Sequence, residues 1–176
     1  MNAVDREDIA ADLERARIRF HRLIDAAGPA DWAKQTRETR WTNEQLLFHM
    51  VFGYMVVQRL LVLVRIFGRL PDSVSRAYAR ALEAATTPFH EINYYGSCGA
   101  ALFYNRHRMG AKLDRVIASL QQKLAHESDA DFARGMHYPP GWDPFFKEYM
   151  TLEAIYRYPG RHFDFHARQL TLSGDD

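Results

Sequence analysis

The sequence predicts an all-α protein, a four-helix bundle with one extra short helix and long polar loops. Three observations carry that prediction. Apolar residues recur at three- and four-residue steps over long windows, Gly and Pro fall between those windows, and no pair of stretches alternates long enough to read as strands. With 176 residues, the chain has the size of a single domain, taken as residues 1–176, with one well-filled core.

In order, Ile9, Leu13, Ala16, Phe20, Leu23, Ile24 and Ala27 mark a first amphipathic helix from Asp5 to Ala27, ended by Gly28–Pro29. Ala30–Arg40 is a polar connector. Trp41–Thr42–Asn43–Glu44–Gln45 opens a second helix: the Thr42 hydroxyl can accept from an early backbone N–H while Gln45 reaches back, a capping box. Leu46–Phe67 is almost wholly apolar, but His49, Gln58, Arg59 and Arg65 interrupt it, so it is a helix buried among others rather than a membrane span. Its Val51–Phe67 surface reads either as core or as a homodimer face.

Asp72–Ala85 is a shorter helix. Thr86–Gly99, with Pro88, Gly96 and Gly99, reads as a long loop placed to cross the surface or cover a site. Ala101–His126 is the third long helix, on the stripe Met109, Leu113, Val116, Ile117, Leu120 and Leu124. Ser128–Trp142 is a polar loop, and Asp143–Pro144 a helix-start signal, with a stronger restart at Thr151. The last helical period runs through Leu152, Ile155, Tyr156, His162, Phe163, His166 and Leu170. Pro159–Gly160 cuts across it and is expected to kink or split that helix one turn before His162.

Composition excludes several classes of function. Against 23 basic side chains stand 22 acidic ones, a net charge of +1, so nothing in the charge calls for nucleic acid or an anionic membrane. The lone Cys98 excludes an internal disulfide, and its Gly96–Ser97–Cys98–Gly99 setting fits a small structural Cys better than a nucleophile. Without a charged-then-apolar leader at Met1–Ala10, the chain is expected in the cytoplasm.

The chemistry lies near the C-terminus, in Arg161–His162–Phe163–Asp164–Phe165–His166–Ala167–Arg168–Gln169–Leu170. Imidazoles four residues apart lie about 40° apart around a helix, so both can face a single ion. Asp164 lies on the opposite side of the rod and reads as a surface charge or helix-dimer contact. His49 on the most apolar helix must be satisfied, by a backbone carbonyl or by an ion. The remaining histidines, His21, His90, His107, His126 and His137, read as flank, loop or helix-end residues.

Trp41–Thr42–x–Glu44–x–x–x–x–His49, followed far downstream by His162–x–x–x–His166–x–x–Gln169–Leu170, resembles the DinB/YfiT-like superfamily of four-helix-bundle proteins. That resemblance implies a metal site of His49, His162 and His166, with one His from the second helix and the pair from the last. Such a site holds a divalent ion, Zn or Ni foremost, and leaves a coordination position open. Gln169, three residues after His166, and Gln45, one turn before His49, can support the ligands from behind. Tyr54, Tyr94, Tyr95 and Tyr156 are available to offer a pocket hydroxyl, or simply pack.

The resemblance implies a metal-dependent enzyme, a hydrolase or a thiol S-transferase, that acts on a small molecule by activating water or a low-molecular-weight thiol co-substrate. Two other readings fit the same residues: a non-catalytic bundle that binds metal or ligand through a closed site, and a metal-free dimeric interaction protein. A fourth protein ligand marks the first alternative, and separated imidazoles mark the second.

Overall fold

The computed structural model describes residues 4–173. Asp5 caps α1 (Arg6–Ala26) by accepting from the Asp8 N–H, and Ile9, Leu13, Ala16, Phe20 and Leu23 make its buried stripe. In α2 (Asn43–Phe67) the capping box is present: Thr42 Oγ1 accepts from Gln45 N–H, and Gln45 Oε1 accepts from Thr42 N–H at 3.0 Å. By length and hydropathy α2 could cross a membrane, yet 56% of its most apolar window is buried in the molecule, the mark of a core helix. Val51, Val57, Leu61 and Val64 are fully buried, while Val62 and Ile66 are exposed, so one side of the Val51–Phe67 segment is core and the other faces out.

Next come α3 (Asp72–Glu83), α4 (Thr86–Phe103), α5 (Met109–Ala125), the one-turn α6 (Asp129–Phe132), β1 (Gly135–His137), β2 (Tyr149–Thr151) and α7 (Leu152–Ala167). Both α1 and α2 pack against α5 and α7, giving a four-helix ring in the order α1, α5, α2, α7. Outside that ring, α4 lies along α2, and α3 lies against β1.

Four expectations are corrected. Thr86–Gly99 is helix, not loop. Pro88 sits in its first turn, where a missing N–H costs nothing, and Asn93, Ser97 and Ala101 recur on the face turned to α2. The third long helix starts at Met109 rather than Ala101, because the chain turns at Asn105, whose Oδ1 accepts from His107 N–H at 3.1 Å. Asp143–Pro144 opens no helix: the Asp143 carboxylate accepts from Phe145 N–H, and the chain runs into β2, paired antiparallel with β1 through Met136 and Met150. Pro159–Gly160 does not interrupt α7, which is helical from Leu152 to Ala167 with Pro159 inside it. Proline in a helix interior costs about 3 kcal/mol. Burial of Ile155, Tyr156, Tyr158, Phe163 and Ala167 on the same helix offsets that cost, at roughly 1.5–3 kcal/mol for each large side chain.

Candidate metal centre

Because α7 is unbroken, His162 and His166 stay in one register and face α2 at His49. The ring centroids of His49 and His162 are 5.0 Å apart, those of His49 and His166 4.9 Å, and those of His162 and His166 4.5 Å. One nitrogen from each lies within 4.8 Å of the others, and all three residues are buried. Zn held at 2.0–2.1 Å keeps its ligand nitrogens about 3.3 Å apart, so small side-chain rotations close the cluster on an ion.

The surroundings prepare the rings for that role. Gln169 Oε1 accepts from His166 Nδ1–H at 2.7 Å, which leaves the His166 Nε2 lone pair free. Ser97 Oγ, from α4, lies 3.2 Å from His49 Nδ1. Trp41 stacks on His49, with centroids 4.4 Å apart and planes 24° from parallel. His162 presses its Nδ1 edge against α2 at Gly53, where an added Cβ would stand 2.8 Å from Nδ1. That nitrogen is buried and has no hydrogen-bond partner among the described residues.

Electrostatics keep the rings neutral. Burial, then the charge of His166, lowers the His49 pKa to about 3. His162 is pushed well below the usual imidazole range by burial and then by its two neighbours, and His166 is lowered by burial, against the opposing bond to Gln169. Neutral imidazole is the form a metal ion binds.

Asp143 is the site residue that sequence reasoning missed. Its Oδ2 lies 3.8 Å from His162 Nε2 and accepts from Tyr158 O–H at 2.7 Å, while Oδ1 accepts from Phe145 N–H at 2.8 Å. Burial raises its pKa, against those two hydrogen bonds. An Asp before Pro looks like a helix cap, and only the path from Trp142 into β2 turns it toward α7. Ser97 was hidden in a segment read as loop.

Other candidates lie elsewhere. Gln45 is spent on the capping box, Tyr156 O–H donates to Glu127 at 3.0 Å, and Tyr95 is exposed. Tyr94 O–H points to Arg40 O at 3.5 Å, and the Tyr54 hydroxyl is buried with no partner among the described residues. Asp164 pairs with Arg19 at the surface. His21 faces Asp114, His126 bonds back to Gln122 O, and His137 contacts Ser75.

Above the imidazoles opens a cavity of about 350 Å³, walled by Phe52, Phe89, Trp142, Phe146 and Phe165. The fold and the site together define a helical bundle whose two core helices present three neutral imidazoles at the floor of an apolar pocket. The chain belongs to the DinB superfamily, whose family model matches residues 12–170. No curated protein matches it, and no solved structure does.

Proposed function

We propose that this protein is a metal-dependent enzyme in which His49, His162 and His166 hold a divalent ion, Zn or Ni foremost, and that it hydrolyses a small molecule or transfers a low-molecular-weight thiol to it. One observation carries this reading: three buried, neutral imidazoles from two helices meet beneath an open apolar cavity. A structural site is closed by a fourth protein ligand, whereas a catalytic one keeps room beside the ion. When bound, the ion supplies Lewis acidity to a water or thiol.

The protein's own groups do the rest. Gln169 fixes the His166 tautomer, Ser97 and Trp41 fix the His49 ring, and the aromatic walls exclude water from the reacting end of the substrate. Asp143, anchored by Tyr158 and Phe145, holds a carboxylate beside His162 where it can accept a proton.

The test is elemental analysis of untagged protein. We expect about one equivalent of metal per chain, and less than about a tenth of that in His162→Ala. No stoichiometric metal, or unchanged metal in that variant, overturns the reading. A second reading, a metal-binding protein without catalysis, is favoured by the nearness of Asp143 to His162. It predicts that the wild type turns nothing over and that Asp143→Asn loses metal, whereas the enzyme reading predicts turnover that Asp143→Asn loses while metal is retained.

A further inference from the structure

We propose that the walls of the cavity over the imidazoles suit an uncharged or cationic aromatic molecule with an N–H or O–H donor for Asp143, and that without the ion they reject anionic ligands of the same shape. This rests on the proposed function above and narrows its substrate class.

The chain carries 23 Lys and Arg residues, yet none lines this cavity. Four arginines, Arg15, Arg19, Arg157 and Arg161, line a separate surface cleft between α1 and α7. Among the described residues the only carboxylate in the pocket is Asp143, whose side chain is 13% exposed. In the metal-free site an anion gives up its hydration beside the Asp143 carboxyl, with no Lys or Arg in the walls to replace that hydration. The ion can bind one donor atom at the head of a ligand, but the walls and Asp143 decide what the rest of it can be.

The polar groups of the walls are already committed. Trp142 Nε1–H donates to Leu82 O at 2.9 Å, Tyr158 O–H donates to Asp143, and His90 Nε2 meets Gly141 O at 3.0 Å. Phe89 and Trp142 stack at 3.8 Å, 9° from parallel, and form one rigid aromatic wall. What remains for hydrogen bonding is the free lone pairs of Asp143, the Asn93 amide and the buried Trp41 N–H, which has no partner among the described residues. A donor-bearing aromatic body satisfies Asp143 and stacks on the walls, and a positive charge gains further from the ring faces. At about 350 Å³ the cavity is near the small end of ligand pockets, about 300–1,000 Å³, which suits one ring with a short arm.

The experiment compares phenethylamine, phenylacetamide and phenylacetate, which share a skeleton and differ in charge. Binding is read by quenching of tryptophan fluorescence and by calorimetry, on protein with metal and after chelation. After chelation, phenylacetate is expected to bind about tenfold or more weakly than the other two, and Asp143→Asn to bring the three within about threefold; with metal present, the ion is expected to narrow the gap by attracting the carboxylate. Phenylacetate binding as tightly as the amide after chelation overturns the proposal in the wild-type protein alone, whether or not the variant folds. Metal content is measured on the same samples. A protein that binds no metal but keeps the ranking refutes only the metal reading, and a metalloprotein that shows the reverse ranking after chelation refutes only this one.

An independent observation concerns α4. Its outer face exposes Ile92 (70%), Tyr95 (64%), Leu102 (83%) and Phe103 (60%), and Gly96 and Gly99 between them would meet nothing if they bore a Cβ. We infer that this face pairs with the same face of a second copy. The residues are close to palindromic: Ile92 with Phe103 and Gly96 with Gly99 share a midpoint between residues 97 and 98, and Tyr95 with Leu102 centres one residue further on. An antiparallel twofold pair therefore sets large side chains beside large ones and the notch on the axis, as an isologous contact requires. The four side chains expose roughly 550 Å² per copy before flanking residues are counted, against about 800 Å² per partner in a standard interface. Sedimentation of the full chain at about 50 μM should give a dimer that Leu102→Glu converts to monomer, while Ile66→Glu, on the exposed edge of α2, leaves the dimer intact. A monomeric wild type, or a dimer that survives Leu102→Glu, overturns the inference.

Discussion

Two buried polar clusters sit at opposite extremes of satisfaction. Around Asp31, in the connector before α2, every bonding position of the carboxylate is filled: Oδ1 accepts from Lys34 Nζ (2.6 Å) and Ser173 Oγ (2.7 Å), and Oδ2 from Gly28 N–H (2.9 Å) and Ser173 N–H (3.1 Å). Nearby, Asn43 donates to Asp31 O and accepts from Thr171 N–H, so the knot ties the start of α2 to the chain beyond α7. Around His49, His162 and His166 the opposite holds. Three basic groups crowd together, one nitrogen has no partner, and burial depresses all three pKa values. The first cluster is complete as it stands and serves the fold. The second is left incomplete in a way a metal ion could complete, and incompleteness in a well-packed core points to function.

Substitutions should separate the two. The largest contrast comes from Gln169→Ala, which removes the acceptor from His166 Nδ1–H. Metal affinity is expected to fall about 10–100-fold with little change in thermal stability of the metal-free protein; a metal titration that overlays the wild type would break the contrast. Gly53→Ala follows: the new Cβ displaces His162, and metal affinity should drop about tenfold while far-UV circular dichroism is retained. Unchanged affinity would mean that the ring has room to spare. In Asp31→Ala the signs reverse. Melting should fall by several degrees because Lys34, Ser173 and Gly28 lose their acceptor, and metal affinity should stay within about threefold of wild type.

Acid gives the smallest and most graded difference. Imidazoles with folded pKa values below the ordinary 6.5, as at His49, stabilise the metal-free fold fully above that value. Their contribution is lost as pH falls below it, because the unfolded chain then binds more protons. Asp31, whose hydrogen bonds with Lys34 and Ser173 lower its pKa, contributes above about 3.9 and loses that contribution only at lower pH. Denaturation in chelator should therefore show stability declining from pH 7 to 5, and His162→Gln should flatten the decline. Equal wild-type stability at the two values would contradict neutral buried rings.

What the sequence made legible was whatever depended on neighbours along the chain. Thr42 and Gln45 announce the start of α2 because a capping box closes over four residues, and the four-residue spacing of His162 and His166 needs only a helix. The errors came where distant packing decides. Pro159 has a local cost that signals a break, yet it sits in a turn held by buried neighbours. Pro88, Gly96 and Gly99 make Thr86–Gly99 look like a loop, while its contact with α2 keeps it helical. Asp143 reaches the site through a connection with no periodic signature, so no spacing rule could have found it.

The capping box has a further consequence for which changes the chain can survive. Thr42 fixes where α2 begins, and His49 lies seven residues on, almost two full turns, so its direction is counted off from the cap. One residue inserted between them would rotate His49 by about 100° and raise it about 1.5 Å, turning the imidazole out of the cluster while the helix stayed a good helix. The stretch from Thr42 to His49 thus works as a ruler, tolerant of many side chains and of no change in length.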